Sequence, residues 1–205
     1  PSFGGAGFGA GSLVQWAGFL NLSGRLVARF MPQGCAHWRA SASAGRARRM
    51  ATPSGFHARR AALRMLDAVL RRGETLEQAL PTAVADVRKP EDRALARAIA
   101  SETLRWLTDL DALIDSATAR PLPPDAKPRM VLRMMLAQWL RLETPPHAVL
   151  ATGLELLSAG PRRLAHGVFS TLTKQGVTLP ASPTLPETAA ARWGDRATAI
   201  SGGLA

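Results

Sequence analysis

The residues best suited to binding chemistry in this sequence are arginines that recur at helical spacing. At about 100° per residue, Arg60, Arg64 and Arg71 fall on one side of a helix, opposite its apolar face. A guanidinium binds phosphate through two parallel hydrogen bonds and stacks on bases. The candidate nucleic-acid contacts are Arg59, Arg60, Arg64, Arg71, Arg93, Arg97, Arg162 and Arg163. An arginine face that is merely solvated would have the same pattern.

The overall charge also favours a polyanion partner. The chain of 205 residues has 26 Lys and Arg against 15 Asp and Glu, a formal net charge of +11. Such an excess points to nucleic acid as the first candidate. Arginine outnumbers lysine 23 to three, which indicates either phosphate recognition or a genome whose codons favour arginine.

Residues for catalysis or metal binding do not form a recognisable constellation. The four histidines lack the spacing of metal ligands, and no phosphate-binding loop follows a strand-like segment. The single cysteine, Cys35, excludes a disulfide framework and suits a reducing, cytoplasmic compartment. Asp109, Asp111 and Asp115 are interpreted as a solvated helix face. We therefore expect no catalytic residue, metal site or cofactor in this chain.

The first 53 residues are predicted to be a low-complexity basic extension, disordered or not native. Residues 1–49 contain six arginines and no acidic residue. Two interpretations remain open: an organellar transit peptide, or upstream sequence read through ahead of a natural start at Met50. The apolar stretch Leu13–Leu22 is too short to cross a membrane, so no membrane partner is expected.

Apolar periodicity predicts an all-α bundle of about seven helices over residues 54–176. Gly73 and Gly176 stop the first and last helices, and Pro90 begins the third. The segment 129–142 is apolar on every side, which predicts a central helix surrounded by the others. Residues 177–205 are a proline-bearing linker with one short helix near 187–200.

Two sequence blocks resemble a known family. One is Glu91-Asp92-Arg93-Ala94-Leu95-Ala96, followed by Thr103-Leu104-Arg105-Trp106, and the other is Thr144-Pro145-Pro146-His147-Ala148-Val149 with Glu155. Together they resemble the NusB-like RNA-binding domain, in the version fused to bacterial small-subunit rRNA cytosine-5 methyltransferases. The resemblance covers about residues 57–176.

The resemblance implies a helical bundle in two subdomains that holds rRNA for a catalytic domain. Arg59, Arg60 and Arg64 match the family's arginine-rich first helix. Arg93 is expected either to contact RNA or to form an internal salt bridge with a buried acid. The remaining family-motif residues are expected to be structural: Asp92, Arg105, Pro146, His147 and Glu155.

The resemblance also implies partners outside this chain. The family's enzymes continue into a domain that binds S-adenosylmethionine, and residues 177–205 resemble the join to it. We therefore expect a targeting fragment whose partners are small-subunit rRNA and its own methyltransferase domain. The alternative is a stand-alone transcription antitermination factor that binds RNA together with a ribosomal protein.

Overall fold

Helices make up the regular structure of residues 55–204, which are the residues that the computed structural model describes. Over that range there is no β-strand, which confirms the all-α prediction. The predicted extension over 1–53, with Cys35 and Met50, lies outside the described residues. The helices are α1 (Phe56–Arg72), α2 (Leu76–Ala83), α3 (Pro90–Arg105), α4 (Leu107–Ser116), α5 (Lys127–Leu140), α6 (Pro146–Gly153), α7 (Ala159–Gln175), α8 (Glu187–Trp193) and α9 (Ala197–Leu204).

The helix ends follow from local sequence. Gly73 and Gly176 adopt left-handed conformations, with φ of 71° and 62°, and end α1 and α7 as predicted. Thr75 and Gln78 form a reciprocal capping box at the start of α2. Pro90 occupies the first turn of α3, where its missing N–H costs no hydrogen bond. These ends fix the loop between α2 and α3, which carries part of the candidate site.

Helix α5 is the central helix, as its apolar sequence predicted. Its residues 129–138 are all buried, and α3, α4, α6 and α7 pack around it. Helices α1, α2 and α3 pack on one another to form the N-terminal half, which meets α5 mainly through α3. The core is largely aliphatic and includes the fully buried Trp106 and Phe169. α1 is thus held along its inner face, while its outer face carries arginines.

A buried ion network ties α4 to α5 and corrects the expected solvated acidic face. The side chains of Arg129 and Arg133 are only 7% and 4% exposed. Asp111 accepts from Arg129 Nε at 2.9 Å and from Arg133 Nε and Nη2 at 2.7 Å each, and Asp115 accepts from Arg129 at 2.8 Å. The two carboxylates lie one helical turn apart on α4, and the two arginines lie one turn apart on α5. The spacing of the acids therefore matches the spacing of the arginines.

The same network holds the proline-rich connection between α4 and α5. Arg129 also donates to the Leu122 carbonyl at 2.7 Å, and Arg133 donates to the Pro124 carbonyl at 3.1 Å. Desolvation lowers the pKa of Arg129, but the hydrogen bonds that it donates to Asp115 and Asp111 more than offset this, so its pKa is raised above the ordinary value. Arg129 therefore stays charged inside the fold.

The segment after α7 folds back onto α4. The Thr184 amide donates to Asp109 at 2.9 Å, and the Ser201 hydroxyl donates to the Pro183 carbonyl. Instead of the single short helix predicted near 187–200, two short helices, α8 and α9, are present. Gly194, with φ of 50°, separates them.

We expect the substitution Asp111→Asn to lower the free energy of unfolding by about 2–3 kcal/mol, because it removes the charge that two buried guanidinium groups share. Its amide N–H₂ would also face an arginine donor. Urea denaturation of the full chain measures this change. The matched control is Asp109→Asn, which keeps an acceptor for Thr184 and should cost less than about 1 kcal/mol. Equal losses in the two variants would contradict a structural role for the network.

Candidate nucleic-acid interface

Arg60 and Arg64 lie one turn apart on the outer face of α1 and share a single carboxylate. Both donate to Asp86 in the loop between α2 and α3, Arg64 at 2.8 Å. Their side chains are 39% and 45% exposed, and that of Asp86 is 37% exposed. Arg60 also lies over the Phe56 ring at 5.9 Å, which orients its guanidinium by a cation–π contact. The exposure predicted for these two arginines agrees with their positions.

The loop that supplies Asp86 carries further cations. Arg88 and Lys89 follow Asp86 after the buried Val87 and are exposed. Arg93, exposed in the first turn of α3, donates from Nε to the Val87 carbonyl at 2.7 Å. We call the set formed by Arg60, Arg64, Arg88, Lys89 and Arg93 the basic surface.

The basic surface has more positive charge than the carboxylates around it neutralise. Among the described residues Arg88, Lys89 and Arg93 form no ion pair, and Asp86 serves two arginines. Glu91 and Asp92, in the first turn of α3, offset part of the excess. The hydrogen bond from Arg64 lowers the pKa of Asp86, slight desolvation opposes this, and the bond from Arg60 adds to the lowering. Asp86 is therefore ionised near neutral pH.

Arg59 is the one first-helix arginine that does not lie on the outer face, which corrects its predicted position. It is 6% exposed and donates to the Gly55 carbonyl at 3.2 Å. Desolvation lowers the pKa of Arg59, and nearby Asp92 opposes that shift. The guanidinium packs so closely on Gly55 that a Cβ there would lie 2.3 Å from its Nη1. Arg59 is thus not available as a surface contact in this structure.

The other candidate arginines lie apart from the basic surface or border it. Arg71 pairs with Asp67 at 3.0 Å near the far end of α1, and Arg97 lies 3.6 Å from Glu77. Arg93 and Arg97 line a shallow groove between α2 and α3. Arg162 and Arg163 lie on α7, and no ion pair within the described range joins them to α1.

The five motif residues expected to be structural occupy varied positions. Glu155 pairs with Arg162 at 2.7 Å, and Arg105 pairs with Glu102 on the surface. Pro146 begins α6, and His147 next to it is exposed. Asp92 lies close enough to Arg59 to favour its charged form. Within residues 55–204 Arg93 forms no salt bridge with a buried acid, and its Nε donates to the Val87 carbonyl.

Arg88 and Lys89 are the binding candidates that sequence reasoning missed. They stand in a loop that has no apolar period, so no helical face could be assigned to them. The signal available was the run Asp86-Val87-Arg88-Lys89 directly before a proline helix start, which predicts an exposed, charged turn.

Other classes of site are missing from the part of the chain that the structure describes. Between residues 55 and 204 no three His, Cys, Asp or Glu side chains come together as metal ligands. No helix in this range is long and apolar enough to span a membrane. Among the described residues, the basic surface is the strongest candidate for a functional site because its exposed cations outnumber the carboxylates next to them.

Comparison with known proteins identifies the family. The sequence pattern of the NusB family matches residues 57–165, which is more than half of the chain. The chain belongs to the NusB family. All of the basic surface lies within the matched residues.

A curated relative and two solved structures extend this result. The chain is 34% identical over 157 residues to ribosomal RNA small subunit methyltransferase B of Xanthomonas campestris pv. campestris, a match covering 72% of this chain. The chain spans only about a third, 36%, of that relative's length.

The solved structures support the fold alone. A chain in the crystal structure of a plectonemic RNA supercoil has a TM-score of 0.54 at 19% identity, covering 61% of this NusB chain and 97% of its own. A chain in the crystal structure of antitermination factors NusB and NusE with double-stranded RNA has a TM-score of 0.53 at 20% identity, with coverage of 58% and 96%. The NusB-like fold predicted from sequence is thus confirmed.

We expect Asp86→Asn to cost at most about 1 kcal/mol of the free energy of unfolding at pH 7, because the ion pairs it breaks are exposed. Asp86 has a lowered pKa in the folded state, so its contribution is present above its unfolded pKa and is lost as pH falls through the folded pKa. Urea denaturation of wild type and Asp86→Asn in buffers of decreasing pH should therefore show the difference between their free energies of unfolding shrink in acid. A difference that grows below the ordinary pKa range of aspartate would contradict the lowered pKa of Asp86.

Proposed function

We propose that this NusB-family domain binds structured RNA through its basic surface and serves as the targeting part of a small-subunit rRNA cytosine-5 methyltransferase. The observation that carries the proposal is that Arg60 and Arg64 share the single carboxylate of Asp86. The loop that holds Asp86 also carries the exposed Arg88 and Lys89, and Arg93 donates to its Val87 carbonyl. The surface lies inside the residues that match the family.

Phosphate can replace Asp86 as the partner of Arg60 and Arg64 with little loss of protein stability. Ion pairs as exposed as these contribute roughly 0–1 kcal/mol each. A phosphate oxyanion offers the same bidentate acceptor geometry to a guanidinium. Neutralising phosphates also releases their counterions, so affinity should fall steeply with salt concentration.

The methyltransferase assignment rests on the extent of the similarity. The match to the small-subunit methyltransferase covers 72% of this chain, whereas the family pattern ends at residue 165. The similarity to this relative thus extends over more of the chain than residues 57–165, which favours it over a stand-alone binding protein. S-adenosylmethionine and the methyl transfer would then belong to a domain outside this chain.

One observation supports a second candidate, a stand-alone antitermination factor. The fold match covers 96% of the chain compared in the NusB–NusE–RNA structure, so the described helices account for nearly all of that protein. A factor of this kind would bind RNA more tightly with its ribosomal protein partner present. A titration with and without NusE separates the two: unchanged RNA affinity favours the targeting domain.

Asp86 competes with RNA phosphates for Arg60 and Arg64. Removing the acid and removing the arginines should therefore change RNA affinity in opposite directions. We expect Asp86→Asn to raise affinity about three- to tenfold, because it frees two arginines and removes a negative charge. The double variant Arg60→Gln, Arg64→Gln should lower affinity at least about tenfold and flatten the salt slope by about 1–2. Filter binding to small-subunit rRNA at several salt concentrations measures both effects.

The control for net charge is the double variant Arg192→Gln, Arg196→Gln. These exposed residues lie in and after α8, outside the basic surface. This variant loses the same charge and should bind within about twofold of wild type. If Asp86→Asn leaves affinity unchanged or lower, Arg60 and Arg64 are not the contacts that hold RNA.

We also expect the chain as given to transfer no methyl group from S-adenosylmethionine to rRNA, since its role is to hold the substrate. A radiolabelled methyl-transfer assay with small-subunit rRNA tests this. Incorporation above the protein-free background would refute the division between targeting and catalysis.

A further inference from the structure

A cleft of about 480 Å³ opens beside the arginines of α1. It lies between α1, α2 and the first residues of α5. Its floor is apolar and is formed by Leu63 with the almost fully buried Ala79, Ala83 and Met130. This volume falls within the range of small-molecule sites, which are apolar concavities with a few polar groups at the edge. The floor residues provide no polar side chain, so the cleft suits a flat apolar group.

The edge of the cleft is charged and mainly positive. Arg64, Arg71, Arg72 and Lys127 line it, against two carboxylates. Arg64 belongs to both the cleft and the basic surface, so the two features are continuous. The edge cations that have ion pairs are still about half exposed, and Lys127 has no ion pair within residues 55–204. They remain accessible to phosphate.

Polar acceptors stand at the same edge. Asp67, Asp125 and the hydroxyl of Thr82 line the cleft. A carboxylate accepts hydrogen bonds from the exocyclic amino group of a base, as it does when it recognises cytosine. Among the residues that the structure describes, no aromatic side chain contributes to the lining.

We propose that this cleft receives one unpaired nucleobase of the bound RNA, with its flanking phosphates on Arg64, Arg71 and Lys127. The inference rests on the RNA binding proposed above and specifies what that surface recognises. Proteins read RNA chiefly at loops and bulges, where an unstacked base can leave the helix. A base that presents an amino group fits the lining best, because Asp67 and Asp125 can accept from it. A peptide could also enter an apolar cleft, but the cationic edge shared with the basic surface favours a nucleotide.

The experiment uses the full chain and two RNA hairpins that differ at one position. One carries a single bulged 2-aminopurine, an adenine analogue that keeps an amino group, and the other carries an abasic bulge. We expect the first hairpin to bind about tenfold more tightly, because the bulged base buries apolar surface on the cleft floor and its amino group donates to a carboxylate at the edge. Its fluorescence should rise on binding, because the base leaves the RNA stack and meets no aromatic side chain.

Two matched variants locate the effect. Thr82→Trp places a large side chain at the edge of the cleft from an exposed position, so the fold should tolerate it. Thr171→Trp makes the same substitution at an exposed site on α7, which does not line the cleft. Thr82→Trp should keep abasic binding but lose both the tenfold preference and the fluorescence rise. Thr171→Trp should behave as wild type.

Each result separates the two proposals. If the wild-type chain binds both hairpins equally and the fluorescence does not change, the proposal that the cleft receives a nucleobase is overturned, whereas the proposal of RNA binding is not. A Thr82→Trp variant that keeps the wild-type preference overturns the nucleobase proposal too and leaves the cleft to another occupant, such as a peptide. If the wild-type chain binds neither hairpin at low salt and also fails to bind small-subunit rRNA, the RNA-binding function itself is overturned.

Discussion

The sharing of Asp86 between Arg60 and Arg64 determines what the outer face of α1 can do. One carboxylate holds two guanidinium groups across the gap between α1 and the loop before α3. This pairing positions the arginines without neutralising them both. Because the ion pairs are exposed, they are weak enough for phosphate to displace. The surface is thus preorganised for an anion while it remains stable without one.

Arginines serve two separate purposes in this protein, and burial distinguishes them. Arg129 and Arg133 are inside the bundle, where Asp111 and Asp115 compensate the desolvation of their charges. Arg60 and Arg64 are on the outside with one acid between them. The interior pairs fix α5 against α4, and α5 in turn supports the helices that carry the basic surface. High arginine content alone therefore does not measure binding capacity.

Helices α1 to α7 were predictable from sequence, and so was most of the exposed arginine face, whereas the division of the last segment into α8 and α9 was not. The glycines at residues 73 and 176 mark the ends of α1 and α7, and the apolar residues on every side of α5 mark it as the central helix. These signals were sufficient to predict the helical bundle. The buried position of Arg59 was also predictable from sequence, because Arg59 precedes the buried Leu66 by seven residues and falls within about 20° of it around the helix axis. Assignment by residue type placed it outside, whereas its angular position places it inside.

The tertiary pairings were not predictable in the same way. Asp86 meets α1 across more than twenty residues of sequence, and its loop has no periodicity to reveal a face. The matched i, i+4 spacing of Asp111 with Asp115 and of Arg129 with Arg133 was visible, but which acids met which arginines depended on how α4 packs on α5. The cleft likewise depends on three helices meeting, and no single segment encodes it.

The most direct test of RNA binding by the basic surface is an amide chemical-shift titration of the full chain with a structured RNA. The account predicts that the largest changes occur at residues 60–64 and 86–93 and weaken as salt is added. Changes confined to α7, α8 and α9, with residues 86–93 unaffected, would contradict it.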